Sequence, residues 1–398
     1  MGNSKGTRSS HSASNSFWRV AAIVTAATVG DGVFALPFVF LQSGWLLSIA
    51  YMLVLGAIVV SAHAVYFKTL EHVGEKERLL GLARRYFGAG GFWIGFAAIV
   101  IGLLLTLVAY LILGSHFIQL GFPGLPPAAP LVIFWLFVAA IVLMNDSRIV
   151  ELELLGILFT SIVIGLIFLT ALPNVNFAGA PVVNWGSAFL PFGAVLFSLA
   201  GWTGIEPAYE SQRAAKKAGA GKTSVGSRSR APARKKFAAW APLALGTAFG
   251  ALLYILFAAG ILGTATQITP DTISGLTSWP VWKRDIVAAL GLFAVATVSM
   301  PISREIKNSL EKDLRWNKFG SRSLIIFFPI ACVLAGLNNF LVVVGIVGGV
   351  FLSTQYLLIV SVGRAALKLS LAQKVALDLV GVIFAAAAIY QIASFVVK

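Results

Sequence analysis

Two acidic residues lie within long apolar stretches. Asp31 sits between glycines in Val29-Gly30-Asp31-Gly32-Val33-Phe34-Ala35-Leu36-Pro37, and Glu206 closes Ser198-Leu199-Ala200-Gly201-Trp202-Thr203-Gly204-Ile205 just before Pro207. A charge at such depth is costly and points to function. Three chemistries suit Asp31. It can take up a proton on loading, since burial favours the neutral form of a carboxyl. It can bind a substrate ammonium or a polyamine as a carboxylate, or it can cap the half-helix that follows. Glu206, one turn beyond its own break, suits a proton relay, an inner gate paired with an arginine, or an acid reaching back to the water boundary.

The residues around both acids break helices. Glycine weakens a helix and proline removes a backbone donor. Inside hydrocarbon the freed N–H and C=O groups need a partner, which a bound zwitterion or cation supplies. The N-terminus of a half-helix attracts a carboxylate and the opposing C-terminus a cation. Gly30, Asp31, Gly32, Ala200, Gly201, Trp202 and Gly204 are therefore the candidate substrate-binding residues, with Asp31 and Glu206 the candidates for proton coupling. The small residues admit a substrate to the backbone. Trp202 either covers an apolar substrate side chain or packs in the bundle. Single glycine or proline breaks are common in membrane helices. Paired breaks in corresponding positions of two halves are the pattern of a transporter site near the midplane.

These breaks must be held by the elements around them. Of 398 residues, 58% are hydrophobic and 11% charged, against about 25% charged in soluble domains. Eleven apolar segments run over approximately 17–41, 45–67, 92–120, 130–146, 151–172, 190–210, 238–262, 286–304, 323–338, 339–362 and 375–397. A bilayer span needs about 20 apolar residues. The run from 323 to 362 is twice too long for one span, and Asn338-Asn339 is the natural place to turn it. The fold class expected is all-α and polytopic: a first five-helix repeat over 17–172, a second over 190–362 and an eleventh helix within 363–398. An odd number of helices per repeat inverts the second half. Residues 1–16 are expected to be a flexible cytoplasmic N-terminus.

The net charge of +15 invites nucleic acid as a partner, but its placement does not. With the N-terminus inside, 27 of the 30 Lys and Arg fall in cytoplasmic segments, leaving Lys283, Arg284 and Lys398 outside. This asymmetry sets an orientation with the C-terminus extracytoplasmic and makes nucleic acid unnecessary. The basic loop 210–237 lacks core residues and is expected to be flexible; it either rests on anionic headgroups or only sets topology. Leu79, Leu80, Leu82, Ala83 and Phe87, spaced among charges, suggest an amphipathic surface helix within 71–88. The first apolar stretch is longer than a signal peptide's and is expected to be retained. Enzyme signatures such as paired-cysteine zinc spacing, a P-loop or HExxH are lacking. Neither a metal nor a cofactor is expected. Cys332 reads as a packing residue.

The first break also carries a resemblance. Gly30-Asp31-Gly32-Val33-Phe34-Ala35-Leu36-Pro37 followed by Gln42-Ser43-Gly44-Trp45 is similar to the first-helix motif of the amino acid/auxin permease family, which includes the aromatic amino acid permeases of the amino acid–polyamine–organocation superfamily. Ala83-Arg84-Arg85-Tyr86-Phe87-Gly88, the sixth-segment break and Gly345-Ile346-Val347-Gly348-Gly349-Val350 add weaker matches. The resemblance implies a leucine-transporter-like five-plus-five fold with discontinuous helices one and six. It also implies alternating-access import of amino acids, aromatic or otherwise neutral, across the plasma membrane. Relatives tend to end the sixth-helix motif in Ile-Pro-Glu where this chain has Ile205-Glu206-Pro207, and tend to place a small residue where it has Asp31. Sodium-coupled relatives carry adjacent hydroxyls on helix eight; here Thr297 and Ser299 are separated by Val298, a broken candidate cation site. Proton coupling is thus expected ahead of sodium. A polyamine carrier or a non-transporting amino acid sensor are the alternatives.

Overall fold

The computed structural model describes residues 5–74, 78–143, 158–159, 161–162, 164–169, 180–220 and 240–396, apart from the side chains of 5–16, 31, 216–220 and 395–396. Among them there is no β-strand. The helices are α1 (Lys5–Thr28), α2 (Leu36–Ser43), α3 (Trp45–Val73), α4 (Leu79–Phe96), α5 (Gly102–Gly121), α6 (Ala129–Leu143), α7 (Leu190–Leu199), α8 (Ile205–Ala220), α9 (Trp240–Thr264), α10 (Val281–Asn308), α11 (Lys318–Leu334), α12 (Phe340–Ile346), α13 (Ser353–Ala366) and α14 (Leu371–Val396). Wider π-turns at Ala97–Ile101 and Val347–Leu352 join α4 to α5 and α12 to α13.

Six helical runs are long and apolar enough to cross a bilayer, and the bent pair α1–α2, turned by 50°, makes a seventh. The molecule is an integral multi-pass membrane protein. The α4–α5 run, 43 residues from Leu79 to Gly121, is the most enclosed of the six, while α3 and α14 turn Leu53, Val54, Leu379, Val382 and Ile389 outward. Apolar side chains facing lipid need no further partner. Packing of α10 on α5, α9 on α1 and α13 between α3 and α14 makes the bundle.

Several helices extend beyond the apolar segments read from the sequence. The helix does not start at residue 17: α1 begins at Lys5, inside the segment 1–16 expected to be flexible. Once a helix is nucleated each further residue adds a hydrogen bond at little cost, so polar residues upstream are carried along. Likewise α8 runs to Ala220, so the first part of the 210–237 loop is helical; its remainder from 221 lies outside the described residues. Most of the segment 151–172 also lies outside them, and its described residues are helical. The surface helix expected within 71–88 buries Leu79, Leu80, Leu82 and Ala83 but leaves Phe87 exposed. It continues past a kink at Gly88 (φ 65°) into the α4–α5 run.

Two motif positions have plain structural reasons. Gly44 takes φ 99° at the α2–α3 corner, and the extended segment 181–184 pairs with the backbone there, Trp45 N donating to Pro181 O and Asn184 N to Ser43 O. An L-residue at that φ is strained. The Gly345–Val350 run lets the π-turn touch α7 backbone to backbone; a Cβ on Gly348 would collide with the Gly193 carbonyl. At the expected turn, the Asn339 side chain caps α12 by accepting from Val342 N at 3.1 Å.

Candidate functional site

α1 ends at Thr28, Gly30 is extended (φ −144°, ψ −168°), and Asp31–Ala35 form a tight 3-10 turn before α2. Across from it α7 ends at Leu199, Ala200 is extended, and Trp202–Gly204 form a second 3-10 turn before α8. The two breaks meet. A Cβ added to Gly32 would lie 2.5 Å from Ser198 Oγ, one added to Gly201 would strike Thr28 Oγ1, and one added to Gly204 would lie 2.5 Å from the Cβ of Ala27. Only glycine permits this approach, which places the broken backbones side by side. Gly30, Gly32, Ala200, Gly201, Trp202 and Gly204 are thus brought together. Asp31 opens the first 3-10 turn; its side chain lies outside the described residues.

The broken backbone has protein partners that carry no local signal of their own. The Tyr254 hydroxyl on α9 accepts from Gly30 N at 2.8 Å and donates to the Thr28 carbonyl at 2.5 Å, so one phenol bridges both orphaned groups of the first break. Tyr356 on α13 serves the second break. It bonds the Gly201 backbone, and His63 Nε2 on α3 holds its hydroxyl at 3.0 Å. Both tyrosines and His63 are fully buried. Each tyrosine stands more than a hundred residues from its break, in an apolar segment with no local signal. Such bridging is what hydrocarbon demands of any interrupted helix.

Trp202 is 2% exposed, and its indole donates to Gln355 Oε1 at 2.5 Å, while Gln355 Nε2 donates to Ala98 O at 2.7 Å. The indole is therefore fixed in orientation between α13 and the π-turn after α4. Thr28, unnoticed in the sequence, is 2% exposed and its hydroxyl has no hydrogen-bond partner where it faces Gly201. A buried unpaired hydroxyl is costly, and a ligand group is one way to satisfy it. Thr297 and Ser299 are buried on α10, and both hydroxyls turn back to carbonyls of their own helix, Ala294 O at 2.8 Å and Ala296 O at 2.7 Å.

Glu206 starts α8 and is paired. Arg78, just before α4, donates from Nε to Glu206 Oε2 at 3.1 Å and from a terminal nitrogen to Glu305 on α10, and the Tyr66 hydroxyl on α3 donates to Glu206 Oε1 at 2.5 Å. The three charged side chains are 15–20% exposed. One guanidinium fork thus joins the entry of α4 to α8 and α10 below the second break, and Tyr66 adds α3. At the other end of the α4–α5 run, His116 Nδ1 lies 2.5 Å from Asp271 Oδ2 in the segment after α9. That segment reaches the first break, because Thr272 Oγ1 donates to Phe34 O at 2.6 Å.

The family described as transmembrane amino acid transporter protein matches residues 13–199, just under half of the chain and the part that holds the first break and α7. Among solved structures, the chain is similar to the manganese transporter of Eremococcus coleocola bound to an aromatic bis-isothiourea substituted compound, with a TM-score of 0.65, 13% identity, and 99% of this chain and 89% of that one covered. It is also similar to MhsT in complex with L-phenylalanine, with a TM-score of 0.56, 14% identity, and 94% and 97% covered. At these identities the likeness carries the fold alone, the leucine-transporter-like one. No curated protein sequence matches the chain.

Proposed function

We propose that this chain, whose residues 13–199 match the transmembrane amino acid transporter family, is a secondary active transporter that imports amino acids by alternating access. The observation that carries this reading is the meeting of two broken helices through Gly32, Gly201 and Gly204. There the backbone ends of α1, α2, α7 and α8 converge on one place. A zwitterion matches that arrangement, with its carboxylate at half-helix N-termini and its ammonium at carbonyl ends. Gly30, Asp31, Gly32, Ala200, Gly201, Trp202 and Gly204 would line the substrate, and Thr28 adds a free hydroxyl. The L-phenylalanine held by MhsT makes a neutral aromatic amino acid the first substrate to test.

Proton coupling is favoured over sodium. Asp31 stands in the first break, and the Thr297 and Ser299 hydroxyls are both engaged within α10, whereas a sodium site needs several converging oxygens. Asp31 would bind the proton on loading, with Glu206 beside Arg78 responding at the inner end. We place the N-terminus and basic loops in the cytoplasm on the alternation of Lys and Arg, the two breaks in inverted five-helix repeats on the odd number of helices per half, and the protein in the plasma membrane on the family resemblance.

Uptake into proteoliposomes tests this directly, using radiolabelled amino acids and polyamines under an imposed pH gradient or an imposed sodium gradient. Accumulation of a neutral amino acid under the pH gradient alone, lost in Asp31→Asn, is the expected result. Accumulation under the sodium gradient alone would move the coupling to the cation alternative. Binding of an amino acid without accumulation under either gradient would favour a sensor.

A further inference from the structure

We infer that His116 and Asp271 form a proton-binding latch that holds the segment after α9 closed over the first break. The segment is built as a tie between two places. Asp271 meets His116 Nδ1 at 2.5 Å on α5. The next residue, Thr272, takes φ 62°, a left-handed conformation that a β-branched residue adopts only under constraint. From there its hydroxyl donates to Phe34 O in the 3-10 turn of the first break. Ile273 and Leu276 then seal the 3-10 turn Ile273–Ser278 into the core. Phe34 itself stacks edge-on against Phe117, the neighbour of His116. Position 116 and the break thus share one wall, and releasing the segment uncovers the break.

The imidazole's second proton strengthens the contact: a neutral ring donates one hydrogen bond from Nδ1 to Asp271, and the protonated ring adds its charge. Asp271 already accepts from Thr269 Oγ1 and Ser274 Oγ, each at 2.6 Å. Burial raises its pKa, but the hydrogen bond and charge of His116, with those two hydroxyls, carry it down from 3.8 to about 2. The carboxylate is therefore charged at any working pH, and histidine is the side chain that changes charge between about pH 5 and 8. Protons reach it, because His116 lines a cavity of about 330 Å³ with Ser115, Gln119 and Asn338. Other charges near this end of the bundle are occupied elsewhere. On α10, which packs along α5, Lys283 lies 3.7 Å over the Trp279 ring and Arg284 lies beside Asp285. α6 and α12, also against α5, bring no charged residue among those described, and α11 carries Lys318 and Arg322 in its first two turns while its other end, at Val333, is the one beside His116.

The latch does not depend on which ion drives transport. Its test is amide hydrogen exchange of 269–279 in the full-length protein in lipid nanodiscs, corrected for intrinsic exchange, between about pH 5 and 8. Protection of this segment is expected to fall about tenfold as pH rises through that range in the native chain. His116→Gln should show low protection at every pH, and His116→Lys, a cation throughout, should flatten the profile. Asp271→Asn serves as a second break of the pair, since its amide oxygen still accepts from Thr269 and Ser274. Protection independent of pH in the native chain, or a pH profile that survives in His116→Gln and Asp271→Asn, overturns the latch. The measurement needs no substrate, so a latch that titrates in a protein carrying no amino acid would leave the inference standing and remove the transport reading instead.

Discussion

The two ends of the α4–α5 run are closed by ion pairs of different kinds. At one end Arg78 joins Glu206 and Glu305 and, through Tyr66, ties four regular helices. At the other His116 joins Asp271 and ties one helix to an irregular segment. Arginine keeps its charge at every physiological pH, whereas histidine does not. The first closure therefore changes when something moves the helices or a carboxylate gains a proton, and the second weakens when the imidazole loses one. A transporter needs two closures that are not released by the same event, and different cation chemistry is one way to separate them.

The largest expected effect comes from Arg78→Ala. It leaves Glu206 and Glu305 facing each other with no cation between them, and breaking such a pair by removing one partner costs about 3–5 kcal/mol. Thermal unfolding in detergent should drop accordingly and uptake should vanish. Arg78→Lys keeps the charge without the two-pronged fork and should fall between. If Arg78→Ala unfolds at the native temperature, the cluster is a surface ornament and the comparison of the two ends fails.

Next in size is Tyr254→Phe. It strands the Thr28 carbonyl and the Gly30 N–H, at about 1–3 kcal/mol. Tyr356→Phe removes one backbone contact and frees His63 Nε2, so its loss should be of the same order or smaller. Differential scanning of both variants, with uptake beside it, checks whether the first break leans on its tyrosine more than the second does.

These tyrosines mark where the sequence stopped being legible. The breaks themselves could be read, because glycine, proline and acid at mid-segment are local signals, and the Asn338-Asn339 turn could be read for the same reason. The partners of the breaks could not. Tyr254, Tyr356, Thr28 and Gln355 are ordinary residues in apolar helices, and only packing from distant parts of the chain gives them a task. The same holds for Arg78, one of many basic residues in cytoplasmic segments until the fold sets it between two glutamates. The helical stretches Lys5–Ser16 and Glu210–Ala220 were missed for another reason. Polar composition argues against a buried core, yet an existing helix extends into polar residues at little cost.

A smaller effect separates the ends by pH. Asp271 has its pKa lowered from 3.8 to about 2 in the folded protein. A depressed carboxyl stabilises the fold above its unfolded pKa and loses that contribution as pH falls toward the folded one. The Asp271 contribution is therefore fully present from about pH 5 upward and disappears toward about 2. A change in the protection of 269–279 between about pH 5 and 8 that is lost in His116→Gln then belongs to the imidazole. In Asp271→Asn the acid limb should vanish as well. Stability at the Arg78 end, followed by exchange in α8, should stay level across the neutral range if that closure holds only fixed charges, and a slope there would reveal a protonating carboxylate in the cluster.

The smallest expected effect is at Thr297 and Ser299. Each hydroxyl bonds a carbonyl three residues back on α10, a local bond that competes with the helix and adds little to it. Alanine at either position should change stability by less than about 1 kcal/mol, since both partners lie in the same helix and the carbonyl keeps its backbone donor. If protons drive transport, gradient-driven uptake by the double variant should match the native chain, and sodium should make no difference to either. If uptake collapses while the fold holds, both hydroxyls must turn away from Ala294 and Ala296 toward a cation during the cycle. Coupling would then lie on α10 beside the breaks, and neither end of the α4–α5 run would be its site.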